Sequence, residues 1–157
     1  MRIEVIANKR NLIFALFIFF LIIVDQAAKQ LATFHILPGS LLPVIGEFVY
    51  LTLVKNQGLV MGLFSLPFHL TIFLTISIIA LFSFILLLRL RERGNFGMVF
   101  IISGMVGNLW DRVFRKGVID FIYVKFWPIF NVADIFIITG VVLTCVSLIF
   151  SRKRCTE

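Results

Sequence analysis

GNLWDRVFRKGVIDFIYVKFWPIFNVAD, Gly107 to Asp134, gathers polar residues that are sparser in the rest of the chain. It holds three of the chain's eight acidic residues, Asp111, Asp120 and Asp134, together with Asn108 and Asn131. Greasy sequence surrounds it. Hydrophobic residues make up 61% of the 157 positions, against roughly 45–50% in an ordinary soluble domain. Mean hydropathy is +1.08, and Phe alone contributes 19 residues. Such a chain reads as one polytopic membrane domain over 1–157. Acids inside it are expensive to bury and point to function.

The net charge of +7 does not point to nucleic acid. Many of the basic residues fall into three clusters, Arg2/Lys9/Arg10, Arg89/Arg91/Arg93 and Arg152/Lys153/Arg154, each flanking a long apolar run. That is the distribution expected of cytoplasmic flanks in a membrane protein. Cys145 lies in the last apolar run and Cys155 in the basic tail, and neither belongs to a disulfide framework or a metal spacing.

Taken in order, the chain predicts an all-α membrane protein of four transmembrane helices at about 8–33, 67–88, 96–114 and 129–150. The basic start and the apolar run Leu12–Val24 imitate a signal peptide, but no clear small-x-small site follows. The first helix is therefore read as uncleaved. Segments 34–66 and 115–128 lie on the other side of the membrane from the basic clusters, with both termini cytoplasmic. The first of them has Pro38, Gly39, Pro43 and Gly46, then a β-branched and aromatic run to Val54 and a turn signal at Lys55–Gly58. It reads as a small extramembrane β-cradle between helices 1 and 2. The second reads as a polar loop containing Asp120.

Helix geometry then sets depth. At 1.5 Å per residue, Asp111 lies roughly 27 Å above Arg93, Asp134 roughly 27 Å above Arg152, and Asp25 roughly 21 Å above Asn11. In a core about 30 Å thick, polar residues from three helices converge on one level near the outer face. Asn108, Asp111 and Arg115 share a helix face, as do Asn131 and Asp134, and Gly104 and Gly107 leave room for a neighbour. Each acid also has a plain structural reading. Asp111 beside Arg112 and Arg115, and Asp25 beside Lys29, read first as ion pairs. His35 and His69 read as incidental, and Trp110, Trp127, Tyr50 and Tyr123 as interfacial anchors. Asp120 and Asp134 have no obvious helical cation, which makes them the best pair to share a proton and activate water.

Val24-Asp25-Gln26 with Lys29, Asn56-x-Gly58, Gly107 to Arg112, Val118 to Phe121 and Phe130 to Asp134 resemble, in that order, the motifs of signal peptidase II. The resemblance spans essentially the whole chain. It implies a bacterial inner-membrane aspartic endopeptidase that cleaves prolipoproteins N-terminal to a diacylglyceryl-modified Cys, without a cofactor. It implies Asp120 and Asp134 as the catalytic pair, with Asp25, Lys29, Asn56, Gly58, Asn108, Asp111, Arg112, Asn131 and Ala133 lining or bracing the site. It also implies a monomer whose partners are the lipidated precursor, membrane lipid and the family's cyclic-peptide inhibitors. Three positions depart from the pattern. Leu59 and Val60 stand where alanines are usual, and Ile135 replaces a Ser after the last Asp.

Two other readings compete. A four-helix proton-coupled transporter would place its acids near the midplane, and a catalytically weak substrate-binding relative would follow from the departures at Leu59, Val60 and Ile135. No HExxH zinc motif is present, and Ser103 lacks a histidine on a later helix.

Overall fold

The apolar runs fold into four helices, α1 (Arg2–His35), α2 (Phe68–Leu90), α3 (Phe96–Arg115) and α4 (Val132–Lys153). The computed structural model describes residues 2–58, 67–90 and 96–153; Leu59, Val60, Arg91, Arg93, Arg154 and Cys155 lie outside them. Three of the described helices, α1, α2 and α4, are long and apolar enough to cross a membrane. The fourth, α3, is the central one and packs against α4, α1 and α2. Its position explains its lower hydrophobicity. Ser103, Asn108, Asp111 and Arg112 are all buried among its neighbours, where other protein groups rather than lipid meet their polar atoms. A core of Phe14, Leu86, Met98, Val99 and Ile102 closes the end that carries the basic clusters.

A three-stranded antiparallel sheet sits at the opposite end of the bundle, in the order β1 (Leu42–Ile45), β2 (Val49–Asn56), β3 (Val118–Val124). β1 and β2 come from the expected cradle between α1 and α2. β3 corrects the reading of 115–128 as a loop. VIDFIYV is as β-branched and aromatic as β2, and pairing with β2 satisfies its backbone. Asp120 therefore stands on a strand. The start of the last helix also moves, from Ile129 to Val132. Phe130 still exchanges backbone hydrogen bonds with Ile122 (3.0 and 2.9 Å), so the helix waits for Asn131 to cap it. Ala32 and Ile36 of α1 pack with Phe121, Leu51, Leu53 and Ile122. This second core fastens the sheet across the end of α1.

Close approach of α3 and α4 depends on Gly104. A Cβ there would strike the Ala133 carbonyl oxygen and lie 2.8 Å from Ile137 Cγ1. Gly104→Ala is expected to push the start of α4 outward and cost about 1–3 kcal/mol. Thermal unfolding in detergent measures this, and an unchanged midpoint would contradict the contact.

Candidate active site

The site begins with a cation. Lys29 of α1 is completely buried, and its Nζ lies 2.9 Å from Asp25 Oδ2 and 2.8 Å from Asp111 Oδ2. It also donates to Asn108 Oδ1 at 3.0 Å. An isolated buried ammonium is very costly, and two carboxylates plus an amide oxygen offset that cost. Asp25 reaches α4 as well, where its Oδ1 accepts the Ala133 backbone N–H at 2.9 Å. Gly107 makes room for it, since a Cβ there would fall 2.6 Å from Asp25 Oδ2. Asp111 accepts from Ile119 N at 3.3 Å, tying α3 to the start of β3, and pairs with Arg115 one turn along its own helix.

Three asparagines then hold two further carboxylates. Asn131 donates through Nδ2 to Asp120 Oδ1 (2.6 Å) and Asn108 Oδ1 (3.2 Å). Asn108 in turn donates through Nδ2 to Asp134 Oδ1 at 2.9 Å. Asn56 donates to Asp120 Oδ2 at 3.0 Å, while its own Oδ1 accepts Gly58 N at 2.9 Å. β2 and β3 make that last pair possible. Asn56 opposes Val118, so it shares a sheet face with Asp120 two residues further along. Asn131 and Asp134 also form a reciprocal capping box at the start of α4. Asp134 N donates to Asn131 Oδ1 at 3.1 Å, and Asn131 N to Asp134 Oδ2 at 3.2 Å. A capping box fixes both side chains because each satisfies an orphan donor of the first helical turn.

Asp120 and Asp134 line one cavity of about 350 Å³ together with Asn56, Asn108 and Arg112. Its remaining wall is largely apolar, with Ile78 and Phe82 from α2, Ile101 and Met105 from α3, and Ile137 and Val141 from α4. Arg112 donates to the carbonyls of Asn108 (3.3 Å) and Gly58 (3.1 Å). Among the described residues its buried Nε has no partner. Burial raises the Asp120 carboxyl to about 6. The Asn56 amide opposes this rise, the charge of Asp134 adds to it, and the Asn131 amide and the Lys29 charge oppose it more weakly.

Asp25, Lys29, Asn56, Gly58, Asn108, Asp111, Arg112, Asp120, Asn131, Ala133 and Asp134 thus enter one connected network. Two assignments change. Asp111 pairs with Lys29 and Arg115 rather than with Arg112, because adjacent helical residues point about 100° apart while i, i+4 neighbours share a face. Ile135 is partly exposed and absent from the cavity wall, so its missing hydroxyl is not beside the carboxylate pair. Gln26, known from the sequence only as part of a motif, and Gln30 also join the network. The Gln26 amide donates to Asp25 Oδ2 (3.1 Å), Gly107 O (3.2 Å) and Asp111 Oδ1 (3.3 Å), and both glutamines accept from Arg115. Their i, i+4 spacing beside Asp25 and Lys29 in a greasy helix was the available signal. His35 bonds the carbonyl of Leu31 and the His69 ring lies edge-on to the Phe68 ring. Among the described residues no group of three or more His, Cys, Asp or Glu could hold a metal.

The sequence profile of the family described as signal peptidase (SPase) II matches residues 17–150. The chain belongs to the signal peptidase II family. A lipoprotein signal peptidase of Caldanaerobacter subterraneus subsp. tengcongensis is 37% identical over 136 residues, covering 83% of this chain and 92% of that one. Another, from Borrelia hermsii, is 34% identical over 160 residues, covering 90% and 92%. A solved bacterial membrane enzyme superposes with a TM-score of 0.79 at 26% identity, covering 90% of both chains. Signal peptidase II is an aspartic peptidase family, so this chain is a multi-pass bacterial membrane enzyme that removes signal peptides from prolipoproteins. The transporter and weak-relative readings are not favoured.

Two outcomes follow from the charges. Lys29→Met strands two buried carboxylates and is expected to cost about 3–5 kcal/mol. Arg115→Met should cost less, since that side chain is 28% exposed; an equal loss of thermal stability in both variants would contradict this ranking. The second concerns Asp120. Its folded pKa of about 6 lies above the unfolded value, so its contribution to stability is full below the unfolded pKa and lost as pH rises through about 6. Relative to Asp120→Asn, the wild-type enzyme should lose on the order of 3 kcal/mol across that interval. Paired melting curves as a function of pH read this directly, and a constant difference between the two proteins would oppose it.

Proposed function

We propose that Asp120 and Asp134 are the catalytic pair and that they cleave the precursor N-terminal to a diacylglyceryl-modified Cys. The observation that carries this reading is their convergence on one cavity from a strand and a helix start, each held by asparagine amides. Charge balance supports it. Lys29, Arg112 and Arg115 face Asp25, Asp111, Asp120 and Asp134, so one proton on the pair leaves the network neutral. Two carboxylates in a poorly hydrated site share a proton for the same reason.

In the reaction the ionised carboxylate takes a proton from water as the water oxygen bonds to the scissile carbonyl carbon. The protonated carboxyl gives its proton to the carbonyl oxygen, producing a tetrahedral gem-diol. Collapse breaks the C–N bond. One gem-diol hydroxyl returns its proton to the pair and re-forms the carbonyl, and the proton first taken from water passes to the departing amine nitrogen. The Arg112 Nε, unpaired among the described residues, is placed to donate to a substrate carbonyl. The apolar wall suits a signal peptide and an acyl chain. The basic clusters favour cytoplasmic termini, with the site near the outer face. The protein acts as a monomer.

Asp120→Asn and Asp134→Asn should each lower turnover of a lipidated precursor by about 10²–10⁴-fold or more. Cleavage by purified protein in lipid, followed by release of the signal peptide, measures it. Wild-type turnover in either variant would remove that residue from the catalytic pair.

A further inference from the structure

The sheet reaches beyond the bundle. At one end of its paired strands, Asn56 and Val118 sit beside α3 through the Ile119–Asp111 bond. Further along, Leu51, Phe121 and Ile122 rest on Ala32 and Ile36 at the end of α1. The strands then continue past α1 to Val49 and Val124. From Ile122 to the end of β3 at Val124 is two residues, a reach of roughly 7 Å before the turn. Two turns finish this overhang, Gly46–Phe48 and Lys125–Trp127, and Lys125 N joins them by donating to Phe48 O at 2.9 Å.

The tip is open and mostly aromatic, and its two charged residues, Glu47 and Lys125, carry opposite signs. Ile45, Phe48 and Trp127 are each more than half exposed, and Phe126 is 89% exposed. Phe126 also adopts φ 70°, a left-handed conformation that costs a bulky non-glycine residue energy. The chain therefore accepts strain to present this ring outward. One cation stands among the rings, with Lys125 Nζ 5.8 Å from the centroids of both Phe48 and Phe126. Aromatic rings with a lysine at their rim are the composition of a membrane-interface anchor. The helix on which the sheet rests, α1, is a membrane-spanning candidate whose Leu31 and Phe34 are exposed.

We propose that the tip formed by Gly46–Phe48 and Lys125–Trp127 inserts into the headgroup–acyl boundary of the leaflet on the sheet's side. Phe126 and Trp127 supply the inserted rings, and Lys125 meets lipid phosphate. Continuity with the lipid-facing side of α1 and the lysine's charge favour lipid over a protein partner or a second copy. The anchor holds β2 and β3, and with them Asn56 and Asp120, at a fixed height above the bilayer. It rests on the fold and the membrane spans and is independent of the catalytic assignment.

The chain has two tryptophans, so Trp110→Phe leaves Trp127 as a single reporter. The full-length variant is reconstituted in phosphatidylcholine–phosphatidylglycerol vesicles, with and without lipid brominated near the carbonyl end of its acyl chains. Brominated lipid should lower Trp127 emission roughly twofold, acrylamide should have little effect, and Lys125→Glu should weaken the bromine quenching. Subtracting the emission of Trp127→Phe from that of wild type gives the same signal if the first variant folds poorly. Full acrylamide quenching without bromine quenching would place the tip in water. Blue-shifted emission that neither agent quenches would place it under protein. Either result overturns the proposal.

Discussion

A lysine ammonium sealed from solvent cannot stand alone, and the site is arranged around that constraint. Lys29 lies between Asp25 on its own helix and Asp111 on α3. Asp25 then holds the first turn of α4 through Ala133 N, and Asp111 holds the first turn of β3 through Ile119 N. One cation thereby sets where three helices and a strand meet. Replacing such a cluster by apolar groups can leave stability unchanged, but removing a single member exposes the full desolvation cost of the rest. Its value here is geometric: it fixes the level at which the remaining polar groups assemble.

That level is where Asp120 and Asp134 appear, on elements of different kinds. Asp134 belongs to a helix start and is locked in a capping box. Asp120 belongs to a strand and is locked by amides from Asn56 and Asn131. The amide orientations are not free choices. Asn108 must turn its oxygen to Lys29 and its nitrogen to Asp134, and Asn56 must turn its oxygen to Gly58 N. Fixed donors on both carboxylates set their orientation, and in the proposed mechanism such donors need no reorganisation at the moment of reaction. Below them the cavity turns apolar, so the polar chemistry occupies only its rim.

Much of this was legible in the sequence, because hydropathy and helical rise together fix depth. The four apolar runs and the convergence of Asp25, Asn108, Asp111, Asn131 and Asp134 follow from spacing alone. The five ordered motifs supplied the chemistry that spacing left open. What failed was partnership across elements. VIDFIYV carries a strand signal, but its pairing strand lies more than sixty residues earlier, beyond two helices. Of the two arginines expected beside Asp111, Arg115 pairs with it, while Lys29 on another helix is not visible from sequence neighbours. The roles of Gln26 and Gln30 were passed over because their value lies in Arg115, Asp111 and Gly107 across the interface.

On the proposed assignment, Asp120 and Asp134 share one proton, held up to about pH 6. Infrared difference spectroscopy of the membrane-reconstituted enzyme tests it most directly, through the C=O stretch of a protonated carboxyl group. The account predicts one such band that titrates near pH 6, shifts in Asp134→Asn and vanishes in Asp120→Asn. No titrating carboxyl band near neutrality, or a band indifferent to both substitutions, would contradict it.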